Sequence, residues 1–188
     1  MEIEVKENTD KVLRFIIEGE ENYFINAFRR AVINYVETFA IDSVNFYENT
    51  SAMFDEYIAH RIGLVPIVTP KVYPKDAKIF FTLEAIGPSI VYSKDLKSSD
   101  AEIVVANEKI PIIKLAQDQM LRIDCEAIPG NALRHAKFQP GLATFEELGD
   151  KKFEFYIESF GQMPARDIAQ KAIESLEDML KKVKVALK

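Results

Sequence analysis

Cysteine is nearly absent from this sequence: Cys125 is the only one in 188 residues. No intramolecular disulfide can form, and a cysteine-rich metal or iron–sulfur site within the chain is excluded. Histidine is almost as scarce, represented only by His60 and His135. Basic charge is short as well, with 24 lysines and arginines against 30 acidic residues and a net charge of -6. Autonomous binding to DNA or RNA needs a basic footprint that neutralises phosphates, so this balance argues against direct nucleic-acid binding. It leaves open a place inside a larger nucleic-acid machine. No apolar run approaches the ~20 residues that cross a bilayer. The opening "MEIEVKENTD" alternates charged and apolar residues and does not read as a leader, so the expected compartment is the cytoplasm. The sequence also lacks a Gly-x-x-x-x-Gly-Lys phosphate loop, a Gly-x-Gly-x-x-Gly turn, a Gly-x-Ser-x-Gly elbow and an Asp-x-Asp pair. No catalytic residues are expected in this chain.

What is present is an ordinary globular balance, 48% apolar and 29% charged. A domain of this length removes roughly 70% of its unfolded surface from water, enough for a substantial core. The chain begins with two expected strands around the turn-forming "ENTD", with Leu13, Phe15 and Ile17 on one face by period two. A helix is expected over 22–36. Phe24, Phe28, Ala31 and Tyr35 line one of its stripes, and Ile25, Val32 and Val36 a second about 100° away. That surface is wider than a helix lying on one sheet needs, and the excess implies a second surface to cover.

Strand-like "AIDSVNFYE" leads into "ENTSAMFDEYIAHRIGLVPI", read as a short helix from about Ser51 to Gly63. Asn49, Thr50 and Ser51 offer capping oxygens, and Asp55 and Glu56 lie near its positive end. Phe54, Ile58, Ile62 and Val65 form the expected buried stripe, leaving the charged face outward. Seven of the eight prolines then fall between Pro66 and Pro140, where "KIFFTLEA", "SIVYS", "AEIVVA" and "QMLRIDCEAI" are expected strands. After Pro140, "KFEFYIES" alternates cleanly. Pro164 launches a final helix over 165–187, in which Ile173, Leu176, Leu180, Val183 and Leu187 repeat at the 3-4-3-4 spacing of a lengthwise packing seam. Acidic residues come early in it and Lys181, Lys182, Lys184 and Lys188 late, which suits the macrodipole. The two ends read as one strand-and-helix subdomain with a proline-rich β region inserted between them.

Two clusters could carry chemistry. Glu56 and His60 stand four apart on a helix face and could both reach a metal, but they are two ligands where a catalytic zinc usually has three. A surface ion pair or a subunit contact is the alternative. His135 stands in "RHAKFQP" with Arg134, Lys137 and an exposed-looking Phe138, either a basic loop closing a hairpin or a contact loop. Cys125 lies in an alternating strand and reads as a small buried hydrophobe. The strongest feature is therefore the surplus apolar surface of the first and last helices. They either pack only on each other and on their own sheet, or await a partner helix pair that completes a four-helix arrangement.

"NAFRRAVINYVETFAIDSVNFYENTSAMFDEYIAHRIGLVPI" resembles the signature region of the D-type subunit of archaeal DNA-directed RNA polymerase. That family is the counterpart of the third-largest subunit of eukaryotic RNA polymerase II and of the N-terminal domain of the bacterial alpha subunit. "RHAKFQP" resembles the family's His-Ala-Lys-Trp-x-Pro loop, with Phe138 in place of the usual Trp, and "FYIESFGQMPARDIAQKAIESLEDML" its closing strand and dimerisation helix. The resemblance covers essentially the whole chain. It implies an α+β fold with a discontinuous dimerisation subdomain of antiparallel strands plus two long helices, residues 1–47 and 145–188. The inserted subdomain, 48–144, would be proline-rich and mainly β.

The implied function is non-catalytic: an assembly platform that heterodimerises with subunit L. Phe24, Phe28, Ala31, Tyr35, Ile173, Leu176, Leu180, Val183 and Leu187 would be buried against that partner. Arg29 and Arg30, which match the family helix's Arg-Arg pair, would lie at larger-subunit contacts, and Asp55, Glu56, His60, Arg61, His135 and Lys137 would face the second-largest polymerase subunit or the small subunits N and P. Two departures from the pattern matter. Many relatives carry a cysteine-rich insert for an iron–sulfur cluster after the His-Ala-Lys loop, whereas here a short link joins Pro140 to the closing strand, so no cluster is expected. The bacterial alpha subunit carries a further DNA-binding domain, and none is expected here.

Overall fold

A computed structural model of the chain describes every residue except Lys75 and Lys188. The C-terminal end of the lysine run read from the sequence, Lys188, therefore lies outside the described residues. In chain order the elements are β1 (Glu2–Asn8), β2 (Val12–Glu18), α1 (Asn22–Asn34), β3 (Thr38–Asn49), α2 (Asp55–Gly63), β4 (Ile79–Ile86), β5 (Ser89–Tyr92), β6 (Lys97–Ser98), β7 (Pro111–Leu115), β8 (Met120–Gly130), β9 (Gly141–Gly149), β10 (Lys152–Ser159) and α3 (Ala165–Ala186). The fold is mixed α and β, and the strand pairings among the described residues are antiparallel. The chain divides into two units, Met1–Glu37 with Asn131–Lys188, and Thr38–Gly130.

The first unit is a four-stranded sheet, β1-β2-β10-β9, with α1 and α3 packed on one face. Alternation does the sorting. Leu13, Phe15 and Ile17 of β2 and Phe153, Phe155 and Ile157 of β10 point to the same side, because Phe155 pairs directly with Phe15 and Phe153 with Ile17. All of them are buried. Phe155 sits at the centre of an aromatic cluster, its ring centroid 5.4 Å from Phe15, 5.0 Å from Phe28 and 6.4 Å from Phe145. Burying one such side chain fully is worth about 1.5–3 kcal/mol, so this row anchors the unit. Gly141 opens β9 opposite Ser159, and a Cβ there would run into the backbone carbonyl of Glu158.

The second unit holds the sheet β3-β8-β4-β6 and the pair β5-β7. Ile58 and Ile62 of α2 join Phe39, Ile41, Phe81, Leu83, Leu121 and Ile123 in one core. β3 pairs with β8 from Thr38 opposite Gly130 to Asn49 opposite Leu121, with bulges near Asp42 and Tyr47.

Several expectations need correction. The boundaries expected after 47 and 144 fall after 37 and 130. A cut at 47 would sever β3 from the ladder it shares with β8, and a cut at 144 would split β9, which pairs with β10 in the first unit's sheet. "AEIVVA" is not a strand. The Asp100 side chain accepts from the backbone of Glu102 and Ile103 and turns the chain, and one isolated bridge, Val105 to Ile67, remains. β7 and β9 have no counterpart among the expected strands. The helix expected from Ser51 starts at Asp55, because Asn49, Ser51 and Met53 bond among themselves in a preceding turn and no side chain caps the helix.

Candidate assembly surfaces

α3 is buried for only part of its length. Ala165, Ile168, Ala169 and Ala172 lie in the core of the first unit, and these small or branched residues let the helix approach the sheet closely. Past Ala172 the cover thins. Leu176 is half-buried against the core, whereas Ile173, Leu180, Val183 and Leu187 are exposed by 48%, 70%, 56% and 83%. The seam read from the sequence therefore exists as a row of largely uncovered apolar side chains. Val185, also exposed, widens it. At 1.5 Å per residue the 22-residue helix is about 33 Å long. Lys181 pairs with Asp178 at 3.1 Å beside this row, and Lys182 and Lys184 are exposed.

α1 divides differently from expectation. Phe28 and Ala31 are buried with Ile25 and Val32 in the unit's own core, so these two expected partner residues are already spoken for. Tyr35 is half-buried against the same core, while Phe24 is 40% exposed and Tyr23 more so. Arg29 is half-buried and turns its guanidinium onto its own helix, donating from Nε and a terminal nitrogen to Asn26 Oδ1 at 3.2 and 3.0 Å. Arg30 is exposed and has no ion pair among the described residues.

In the second unit, α2 buries Ile58 and Ile62 and turns Asp55, Glu56, His60 and Arg61 outward. Asp55 accepts from Asn49 Nδ2 at 2.6 Å, and Arg61 donates to the Pro111 carbonyl at 2.6 Å, so part of the charged set braces its own unit. Among the described residues no three His, Cys, Asp or Glu side chains gather as a metal site would require. Phe54, expected in the buried stripe, is 72% exposed. It is the residue before the helix, with extended backbone (φ -66, ψ 151), so helical periodicity does not place it. Next to it Tyr57, absent from the expected contact residues, is 64% exposed, with ring centroids 6.3 Å apart. A run of apolar and aromatic residues at a helix start is the signal that could have found this pair.

The loop 131–140 belongs to the first unit. His135 is exposed and its Nδ1 accepts from the Lys137 amide at 3.1 Å. Phe138, expected to be exposed, is fully buried, with the cations of Arg134 and Lys137 5.7 and 5.2 Å from its ring centroid. A lone apolar residue between charged ones reads as exposed in sequence, but here it is the anchor that holds the loop down. Gln162 is buried nearby and donates to the Gln139 carbonyl at 3.0 Å. Cys125 is buried in the second unit, and burial, with the Asp124 charge adding, pushes its thiol up to about 12.

Exposed apolar side chains that lie contiguously, as on α3, mark an interaction site. The RNA polymerase Rpb3/RpoA insert domain matches residues 41–148, more than half of the chain. The DNA-directed RNA polymerase subunit Rpo3 of Methanocaldococcus jannaschii is 47% identical over 155 residues, covering 82% of this chain and 80% of that protein. The chain belongs to the Rpb3/RpoA family of DNA-directed RNA polymerase subunits. The Rpo3 subunits of Pyrococcus furiosus and Thermococcus kodakarensis are 41% and 42% identical over 153 and 155 residues. Of these two relatives the chain spans only 59% and 60% of the length. The family's setting is transcription. No helix among the described residues is long and apolar enough to cross a membrane.

Proposed function

We propose that this chain is the archaeal D-type form of the family, a non-catalytic assembly platform acting in the cytoplasm. It pairs with subunit L as an obligate heterodimer on which the large catalytic subunits assemble for DNA-templated transcription. One observation supports this most: beyond Leu176, its last residue packed on the core, the apolar seam of α3 runs on with Leu180 and Leu187 among the most exposed apolar residues of the chain. Contiguous exposed apolar surface of this kind marks an interaction site. The contact is made by Ile173, Leu180, Val183 and Leu187, with Leu176, Phe24 and Tyr35 at its margin. An obligate interface of this type buries on the order of 2,000 Å² or more.

Arg30, Asp55, Glu56, His60 and His135 are then contact groups for the second-largest subunit or for the small subunits N and P, with Arg29, Arg61 and Lys137 beside them. No cofactor is proposed, and an iron–sulfur cluster in particular has only Cys125 to ligate it. Co-expression with subunit L and size-exclusion chromatography test the reading. The chain alone should self-associate or precipitate, and with subunit L it should elute as a one-to-one complex. A monodisperse monomer indifferent to subunit L would defeat it. A native pull-down that retrieves a set of proteins without any polymerase subunit would assign the chain to a different assembly.

A further inference from the structure

We infer that the cleft between the start of α2 and β7 receives a short segment of a partner protein carrying an aliphatic side chain next to a lysine or arginine. This rests on the polymerase reading above and adds the chemistry of one contact to it.

Phe54 and Tyr57 form the wall of a cleft of about 530 Å³ whose other lining residues are Ala52, Met53, Ile113 and Lys114. A second cleft, about 310 Å³, adjoins it across Ala52, Met53 and Phe54 and ends on Asp55 and Glu56. An apolar trough therefore runs over an aromatic ring into an acidic end. Two exposed aromatic rings of this size are costly to leave in water, and aromatic side chains dominate protein contact energies.

The charges select the occupant. Asp55 is held by Asn49 Nδ2 at 2.6 Å, and Glu56 has no ion pair among the described residues. Phe54, Asp55 and Glu56 line the second cleft together, and carboxylates and an aromatic ring both attract a guanidinium or ammonium. The positive end of α2 does not invite an anion, because its first turn already presents those two carboxylates. They repel a nucleic-acid backbone for the same reason. Lys114 lines the opposite end, so a partner's cation is steered away from it and the segment enters in one direction. The trough is open along its length, whereas a small-molecule site encloses most of its ligand, so an extended protein segment is the occupant that fits.

The test uses polymerase purified from cells that make this chain with p-benzoylphenylalanine in place of Tyr57 or, separately, of Leu180. After irradiation, the cross-linked peptides are identified by mass. The expected product at position 57 is a peptide of another subunit with Lys or Arg within two residues of Leu, Ile, Val or Met. Adding Glu56→Lys should cut its yield at least tenfold, and Glu56→Gln should cut it less. A product at 180 with none at 57 overturns this inference alone, as does a product at 57 without a neighbouring basic residue or with a yield indifferent to Glu56→Lys. No product at either position overturns the polymerase reading and this one with it.

Discussion

Ala172 and Leu180 stand about two turns apart on α3, and the first is completely buried whereas the second is 70% exposed. The helix thus changes from a core element to a projecting one between them. Leu180→Glu should leave the isolated fold within about 0.5 kcal/mol of the parent, because an exposed position tolerates charge. In the complex the new carboxylate would be buried without a partner, a cost of several kcal/mol, so pairing with subunit L should weaken at least ~100-fold. Co-elution after co-expression reads the pairing and a urea titration reads the fold. Ala172→Glu should instead unfold the first unit. Unchanged pairing in Leu180→Glu would place the contact on another face.

Phe155 touches Phe15, Phe28 and Phe145, which come from β2, α1 and β9, so one ring ties three elements to β10. Phe155→Ala removes these contacts together and leaves a hole that strands on both sides cannot close. Equilibrium unfolding should show a loss of about 3–5 kcal/mol. Phe24→Ala, at an exposed site on α1, should cost far less in the isolated chain. Equal losses would mean that the aromatic row is not the centre of this core.

Alternation in "KFEFYIES" was legible because a strand with one buried face writes period two directly into sequence, and Phe153, Phe155 and Ile157 are all inside. The α3 seam was legible for the same reason at helical period. Of the four residues in the expected partner stripe of α1, Phe28 and Ala31 lie in the chain's own core. Periodicity gives the width of an apolar face, but Phe28 and Ala31 are covered by the chain's own sheet, and the amount of cover depends on strands distant in sequence. β9 escaped because its buried positions are the small Gly141 and Ala143, with Phe145 half-buried, and the exposed Glu146 and Glu147 follow, a weak pattern beside its neighbour. β7 is short and begins with proline. The outward turn of Phe54 depends on backbone torsion at a helix boundary, where spacing arguments do not hold.

Cys125 pairs with Val44 and Phe81 across the strands β3 and β4 that flank β8, and it is 2% exposed. Burial first and the Asp124 charge second push its thiol from 9.0 to about 12, so at pH 8 it holds roughly a thousandfold less thiolate than an ordinary cysteine. Ellman's reagent should find no reactive thiol in the native chain and a single one in denaturant. Rapid native labelling would show that the second unit opens far more readily than its packing implies.

Glu158 lies on the polar side of β10, where Lys11 Nζ is 3.2 Å from its Oε1 and the Tyr156 hydroxyl donates to its Oε2 at 3.1 Å. The bond from Lys11, then that from Tyr156, hold its carboxyl below the usual carboxylate value. The unfolded chain therefore takes up this proton first as pH falls. Its contribution to stability is complete above the unfolded pKa and disappears as pH drops through the folded one. Glu158→Gln removes that contribution at neutral pH and has nothing left to remove in strong acid. Urea midpoints should separate parent and variant at pH 7 and bring them together in acid, once the pH has fallen through the folded pKa. High salt should narrow the neutral gap, because the groups are partly in water. A gap of constant size across the titration would mean that the variant acts through packing of the β10 face, with the Lys11 pair contributing nothing.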